Sequence, residues 1–225
     1  MTQYKLRLRD LPIDELLELV SDEIPHCHYD YQKHHILLYD ENREQIGILR
    51  LPLHLMIDES LILLEDHAHA LYLSIESGSA ALCIVQGEHI VYHTTFSAYM
   101  TRKKQGFSQI KYLNKKGKSR AGSRVRLAST IDFFESINES LTDLLEIYEI
   151  DRIALDCTTT LIPYLYQSKV PCPFAKKDPR LYKIPLHISQ SNYTHLEGAI
   201  RQLKDPVLLY EENQAHWAEL LLGSS

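Results

Sequence analysis

Between His67 and Phe96 the chain sets three strand patterns so close together that one local arrangement accommodates them. Leu71 to Ile75, Ala81 to Gln86 and Ile90 to Phe96 are apolar or alternating runs, connected through the short turn-rich segments Ser77-Gly78-Ser79 and Gly87-Glu88. A parallel crossover needs a dozen or more residues, so connections this short join antiparallel neighbours. A three-stranded meander is therefore predicted. Behind it, Leu127, Ile131, Phe134, Ile137, Leu141, Leu144 and Tyr148 recur every three or four residues, the period of one buried face of a long helix. Next come a buried strand over Arg152 to Leu155, ending at Asp156, and a helix over 160–167. A strand over 181–188 and a helix over 193–203 complete the order. Three antiparallel strands followed by alternating helices and strands is the element order of an RNase H-like mixed α/β sheet.

Residues 1–66 read as a small α+β module in front of it. Tyr4, Leu6 and Leu8 alternate with Lys5, Arg7 and Arg9, as in a strand. Pro12 and Asp14 open an amphipathic helix carrying Leu16, Leu17 and Val20. His35 to Tyr39 and Gln45 to Leu51 flank the polar run Asp40 to Glu44, the pattern of a hairpin. Residues 67–205 form the larger domain, and 206–225, with Trp217, Leu220, Leu221 and Leu222, read as a C-terminal helix. A chain of 225 residues that is 44% apolar can bury about 70% of its unfolded surface, enough for a domain and a small module.

Charge then singles out one segment. Arg102 to Arg126 holds ten Lys or Arg, no Asp or Glu, and three glycines, whereas the rest of the chain carries 14 basic against 30 acidic residues. An acidic body repels nucleic acid, so this segment, a mobile loop over 99–123, is where phosphate is met. The expected RNA contacts are Arg102, Lys103, Lys104, Lys111, Lys115, Lys116, Lys118, Arg120, Arg124 and Arg126. From charge alone the segment reads as a basic insertion that binds RNA without chemistry. Gly106-Phe107-Ser108-Gln109 interrupts the charges with small and neutral residues, and Gly106 permits close backbone approach to a ligand. Gln109 has no useful basicity, so it can act only by positioning water or stabilising developing charge.

Other chemistries fit less well. Twelve histidines include the triplet His26-Cys27-His28, the pair His34-His35 and the pair His67 and His69, but none has the paired spacing of a structural zinc site. Metal-dependent RNase H chemistry needs several converging carboxylates. The strands offer Glu76 and Asp156, which read as strand-end caps or surface charges. Ser108 lacks a Gly-x-Ser-x-Gly elbow and a neighbouring histidine. Tyr164, Tyr166 and Tyr182 read as core or half-buried positions rather than base-stacking platforms. Cys27, Cys83, Cys157 and Cys172 are widely spaced and no signal peptide is visible, which points to a reducing cytoplasm. No apolar run approaches the length of a membrane span.

The segment Arg102-Lys103-Lys104-Gln105-Gly106-Phe107-Ser108-Gln109, followed by Asn114, Gly117 and Ser119-Arg120-Ala121-Gly122-Ser123 leading into Arg124 and Arg126, resembles the catalytic loop of a known family. These are the Vms-like release factors, the ankyrin-repeat and zinc-finger peptidyl-tRNA hydrolases of ribosome quality control. They are in turn similar to the middle domain of archaeal and eukaryotic class 1 release factors. Asp178-Pro179-Arg180 and Ile184-Pro185-Leu186 add a weaker match, and the likeness covers roughly His67 to Leu203. The resemblance implies an RNase H-like domain, without cofactor, that enters a stalled large ribosomal subunit as a monomer and releases the nascent chain from peptidyl-tRNA. Gln109 would take the place of the family's catalytic glutamine, Gly106, Phe107 and Ser108 would shape the tip, and the basic residues would follow tRNA and ribosomal RNA. The general factors carry Gly-Gly-Gln where this chain has Phe107-Ser108-Gln109, and Phe107 offers a ring to stack on a base. The chain lacks a codon-reading domain, zinc finger and ankyrin repeats, as a compact bacterial member acting independently of codons would. Two other readings stay open: cleavage within the tRNA 3′ CCA end, with Arg102, Lys103 or Lys104 stabilising charge, and a non-catalytic ribosome or RNA-binding module.

Overall fold

The computed structural model describes residues 3–9, 11–64, 67–98 and 121–222. The chain divides into two compact units, Met1–Ala68 with Ile200–Ser225, and His69–Ala199. The fold is mixed α/β, with one five-stranded sheet in each unit.

In the first unit the elements are β1 (Gln3–Arg7), α1 (Ile13–Glu23), β2 (His26–Asp30), β3 (His35–Tyr39) and β4 (Gln45–Arg50). Pro12 precedes α1 with φ −54°, and its carbonyl accepts the Leu16 N–H at 2.9 Å. Asp14 and Glu15 lie in the first turn, where carboxylates suit the helix dipole. Leu16, Leu17 and Val20 form the buried stripe. The β3–β4 turn is built by Asp40, whose carboxylate accepts the Glu44 N–H at 2.8 Å, and Arg43 takes the left-handed conformation at φ 64°. Leu16, Leu17, Ile36, Leu38, Leu49 and Leu208 lie at the centre of this unit's core.

Two strands here are absent from the sequence reading. Residues 206–225 were expected to supply a helix, yet β10 (Val207–Glu211) comes first and lies between β1 and β4 in the order β1-β10-β4-β3-β2. A four- or five-residue apolar run has no period of its own, and its partners are about 160 to 200 residues away. The approach of β10 to β4 is close: a Cβ at Gly47 would stand 3.1 Å from the Leu209 carbonyl oxygen. The helix that follows is real, as α5 (Ala215–Leu221). The second missed strand, β2, is exposed over His26, Cys27 and His28 and shows no apolar alternation. It exists because its backbone pairs with β3 from His26↔Tyr39 to Asp30↔His35.

The second unit holds β5 (His69–Glu76), β6 (Ser79–Gln86), β7 (His89–Ser97), α2 (Ala121–Ile147), β8 (Arg152–Cys157), α3 (Ile162–Gln167), β9 (Leu181–Lys183) and the start of α4 (Tyr193–Leu203). The meander is present: Gly78 and Gly87 turn it with φ 91° and 54°, conformations costly for any side chain. The sheet order is β7-β6-β5-β8-β9. β5 and β6 are buried on both faces, whereas edge strand β7 alternates. Helix α2 lays Phe133, Phe134, Ile137, Leu141 and Leu144 on the sheet, with Phe134 stacked on Tyr164 at 5.7 Å. Buried Asn138 interrupts that stripe and donates to Leu165 O, Ser168 Oγ and Val170 O at 2.7–2.8 Å, fastening α3 and the loop after it. The last strand was expected over 181–188 but stops at Lys183. Pro185 cannot donate to a ladder, which ends pairing there.

Candidate functional site

Strand directions locate the site. β5 pairs antiparallel with β6, and β6 with β7, so β5 and β7 run the same way; β8 and β9 run parallel to β5. All four end at one edge of the sheet, the end at which open α/β sheets bind ligands. The chain from β7 to α2 departs there. Its point of departure is pinned, since the Ala98 N–H donates to the Gly78 carbonyl at 2.9 Å. Gly106, Phe107, Ser108 and Gln109, with Arg102, Lys103, Lys104, Lys111, Lys115, Lys116, Lys118 and Arg120, lie outside the described residues. Arg124 and Arg126 fall within α2.

Beneath that departure point, four elements meet in a polar network. Ser74, fully buried in β5, lies 3.4 Å from Asp156 Oδ2 and 2.8 Å from Ser191 Oγ. An ionised carboxylate accepts only, so Ser74 donates to Asp156 and Ser191 donates to Ser74. The Ser191 N–H reaches Glu76 Oε1 at 3.1 Å, and the Ser79 hydroxyl reaches the same oxygen at 2.8 Å. Burial pushes the Asp156 carboxyl above the usual range, and Glu76 adds to that; the Ser74 hydrogen bond, His187 and Lys183 pull it down. Glu76 and Asp156, read from sequence as strand-end caps or surface charges, thus belong to one brace joining β5, β6, β8 and the approach to α4. Sequence reasoning missed Ser74 and Ser191. The signal for Ser74 was a lone hydroxyl inside the apolar run Leu71-Tyr72-Leu73-Ser74-Ile75. Among the described residues no three His, Cys, Asp or Glu side chains converge as metal ligands would.

Other candidate groups are committed to structure. Burial pushes the thiols of Cys83 and Cys157 up to about 12 and that of Cys172 to about 11, so all three stay protonated at neutral pH and are poor nucleophiles. His34 is buried, with Nε2 2.8 Å from the Pro52 carbonyl and Nδ1 2.7 Å from the Tyr29 hydroxyl. The carbonyl cannot donate, so Nε2 carries the proton and, in the neutral ring, Nδ1 accepts from Tyr29. Arg180 forms a two-pronged pair with Asp178, Nε to Oδ1 at 3.0 Å and Nη2 to Oδ2 at 2.9 Å, while Nη1 donates to the Ile150 carbonyl. That pair holds the Asp178 carboxyl below its usual range and raises the guanidinium. Asp178-Pro179-Arg180 is therefore a clip at the base of β9. Tyr164 is buried, and Tyr166 packs edge-on against Phe174 with Lys176 Nζ 5.3 Å from its ring centre. No helix among the described residues is long and apolar enough to cross a membrane.

Comparison with known proteins adds a family. The family described as Bacteroidetes VLRF1 release factor matches residues 70–209, a span that contains the sheet of the second unit, the polar brace and the whole basic segment. No curated protein matches the chain. A solved structure described as the Vms1 mitochondrial localization core aligns over 89% of this chain and 98% of its own, at 14% identity and a TM-score of 0.44, a likeness too loose to argue from.

Proposed function

The chain belongs to the Bacteroidetes VLRF1 release factors, a Vms-like release-factor family, and from that premise we propose that it hydrolyses peptidyl-tRNA on stalled large ribosomal subunits in the cytoplasm. The observation that carries the reading is the span of the family match, which encloses Gly106 to Gln109 within its basic surroundings. We read the second unit as RNase H-like, since its sheet order supports that and its carboxyl end is where the basic segment departs.

In this mechanism the basic residues from Arg102 to Arg126 neutralise phosphates of tRNA and ribosomal RNA and bring Gln109 to the ester linking peptide to the terminal ribose. Water, oriented by the Gln109 amide, attacks the ester carbonyl carbon. The bond to the ribose oxygen breaks; one proton of the water passes to that oxygen and the other to solvent, giving a peptide carboxylate and a tRNA hydroxyl, and the Gln109 backbone N–H stabilises the oxyanion of the tetrahedral intermediate. The side chain neither gains nor loses a proton, consistent with an amide's lack of basicity. Gly106 allows the close approach, Ser108 completes the tip, and Phe107 stacks on a base. The brace of Ser74, Glu76, Asp156 and Ser191 fixes the base from which the segment springs.

The test is to incubate the protein with stalled large subunits carrying labelled peptidyl-tRNA and to analyse both products. Free peptide with an intact tRNA 3′ end is expected. Peptide still bearing CCA nucleotides would move the assignment to an endonuclease, and binding without release would leave a non-catalytic RNA-binding module.

A further inference from the structure

The first unit carries a groove that the release reaction does not use. It has a volume of about 420 Å³ and lies between α1 and the loop around Ser60 to Leu63. Its floor is apolar, with Leu17 and Leu61 contributed by the core. At its lip stands Ile62, 61% exposed, and Leu64 just beyond is 40% exposed. The loop that presents them is firmly held: the Asp58 carboxylate accepts the N–H groups of Ser60 and Ile62, both at 2.9 Å, and Leu61 takes a left-handed φ of 62° that turns it into the core.

The other wall is acidic. Asp14, Glu18 and Asp22 line the groove at four-residue intervals along α1, all exposed, and none makes an ion pair among the described residues. Eight residues of helix span about 12 Å, so the stripe offers three carboxylates over two turns beside an apolar slot. Such a surface repels phosphate, which excludes an RNA or an anionic membrane as its natural occupant. It complements a helix with an apolar ridge and cations one turn apart along one edge, the helix-in-groove mode of peptide recognition. We propose that this groove docks a cationic amphipathic segment of a protein partner, with one bulky apolar side chain inserted over Leu17 and Leu61 and Lys or Arg facing Glu18 and Asp22. The proposal is independent of the hydrolysis reading, because none of these residues belongs to the release machinery.

The test uses the full-length protein and a fluorescent amphipathic Lys-Leu helical peptide, beside a peptide of the same composition scrambled to mix its two faces, with binding read by anisotropy. Glu18→Lys with Asp22→Lys is expected to weaken the amphipathic peptide by about tenfold, and Ile62→Ser severalfold. All three positions are exposed, and added lysines near the C-terminal end of α1 suit its dipole, so the fold is retained. The scrambled peptide should bind far more weakly, and Glu211→Lys with Glu212→Lys, a reversal elsewhere in the same unit, should change little. Equal binding of both peptides, or equal loss from both reversals, would reduce the groove to diffuse acidity and overturn the proposal. So would preferential binding of a peptide copying residues 102–126, which would make the chain its own occupant. Concentration-dependent dimers abolished by Ile62→Ser would overturn it in favour of a second copy. Peptide release from stalled subunits should be unchanged in these variants when the protein is saturating, which separates failure here from failure of the hydrolase reading.

Discussion

The two units solve the same packing problem with opposite surfaces. Residues 1–68 and 200–225 carry 8 Lys or Arg against 18 Asp or Glu, whereas 69–199 carry 16 against 12. Each has a five-stranded sheet and its own apolar core. The first is wholly antiparallel and stitched from both ends of the sequence; the second mixes antiparallel and parallel pairing and sends four strands toward one edge. Charge follows that difference. Ten of the second unit's cations fall in the one sequence segment Arg102 to Arg126, and the acids predominate in the first unit. Surface charge contributes little to fold but decides which partner is met closely. We read the second unit as the one that faces RNA and the first as one that RNA repels.

Core variants give the largest test of that division. Phe134→Ala removes a ring stacked on Tyr164 in the second core and should cost about 3–5 kcal/mol, with loss of release. Leu49→Ala, in the first core, should cost about 2–5 kcal/mol. Measured by hydrogen exchange at a temperature where both variants fold, protection should fall first in the mutated unit. Equal loss of protection across β5, β6, β3 and β4 in both variants would show that the two units unfold as one.

Single ionic groups should have smaller effects. Asp178→Ala unfastens the Arg180 clip and should cost about 1–2 kcal/mol at neutral pH, discounted because Arg180 is partly solvated. The Asp178 carboxyl is held below its ordinary value, so its contribution is full above the unfolded value and disappears as pH falls through the lower folded one. Asp156 has the opposite sign. Its folded value is raised, so ionisation at neutral pH opposes folding, and acidification toward the ordinary carboxylate value relieves it. Urea melts between pH 7 and 3 should show that relief in wild type and its absence in Asp156→Asn. The smallest effect is on salt: Lys103→Gln with Lys104→Gln should reduce the log–log slope of subunit binding by about two. An unchanged slope would place RNA contact elsewhere than the basic segment.

What was legible in the sequence is what depends on near neighbours. The meander, the hairpin around Asp40 and the long helix announce themselves because their period or turn chemistry spans only a few residues. β10 does not, since Val207 to Tyr210 becomes a central strand only through partners at the other end of the chain. β2 is invisible for a different reason: backbone pairing makes it, not side-chain alternation. In the candidate site, Glu76 and Asp156 could be listed from sequence, but their linkage needed Ser191 from a loop far along the chain. The left-handed turn at Leu61 carries no sequence signal, because leucine gives no warning of positive φ.

We propose that Gln109 acts in catalysis rather than in binding, which single-turnover release of labelled peptide from stalled large subunits by wild type and Gln109→Ala at saturating protein tests, with subunit binding measured in parallel. Gln109→Ala should lower the release rate by about 10²–10³, as for loss of a group that stabilises developing charge, with binding nearly unchanged. Release by Gln109→Ala at the wild-type rate would contradict it, and so would a loss of release fully explained by a loss of binding.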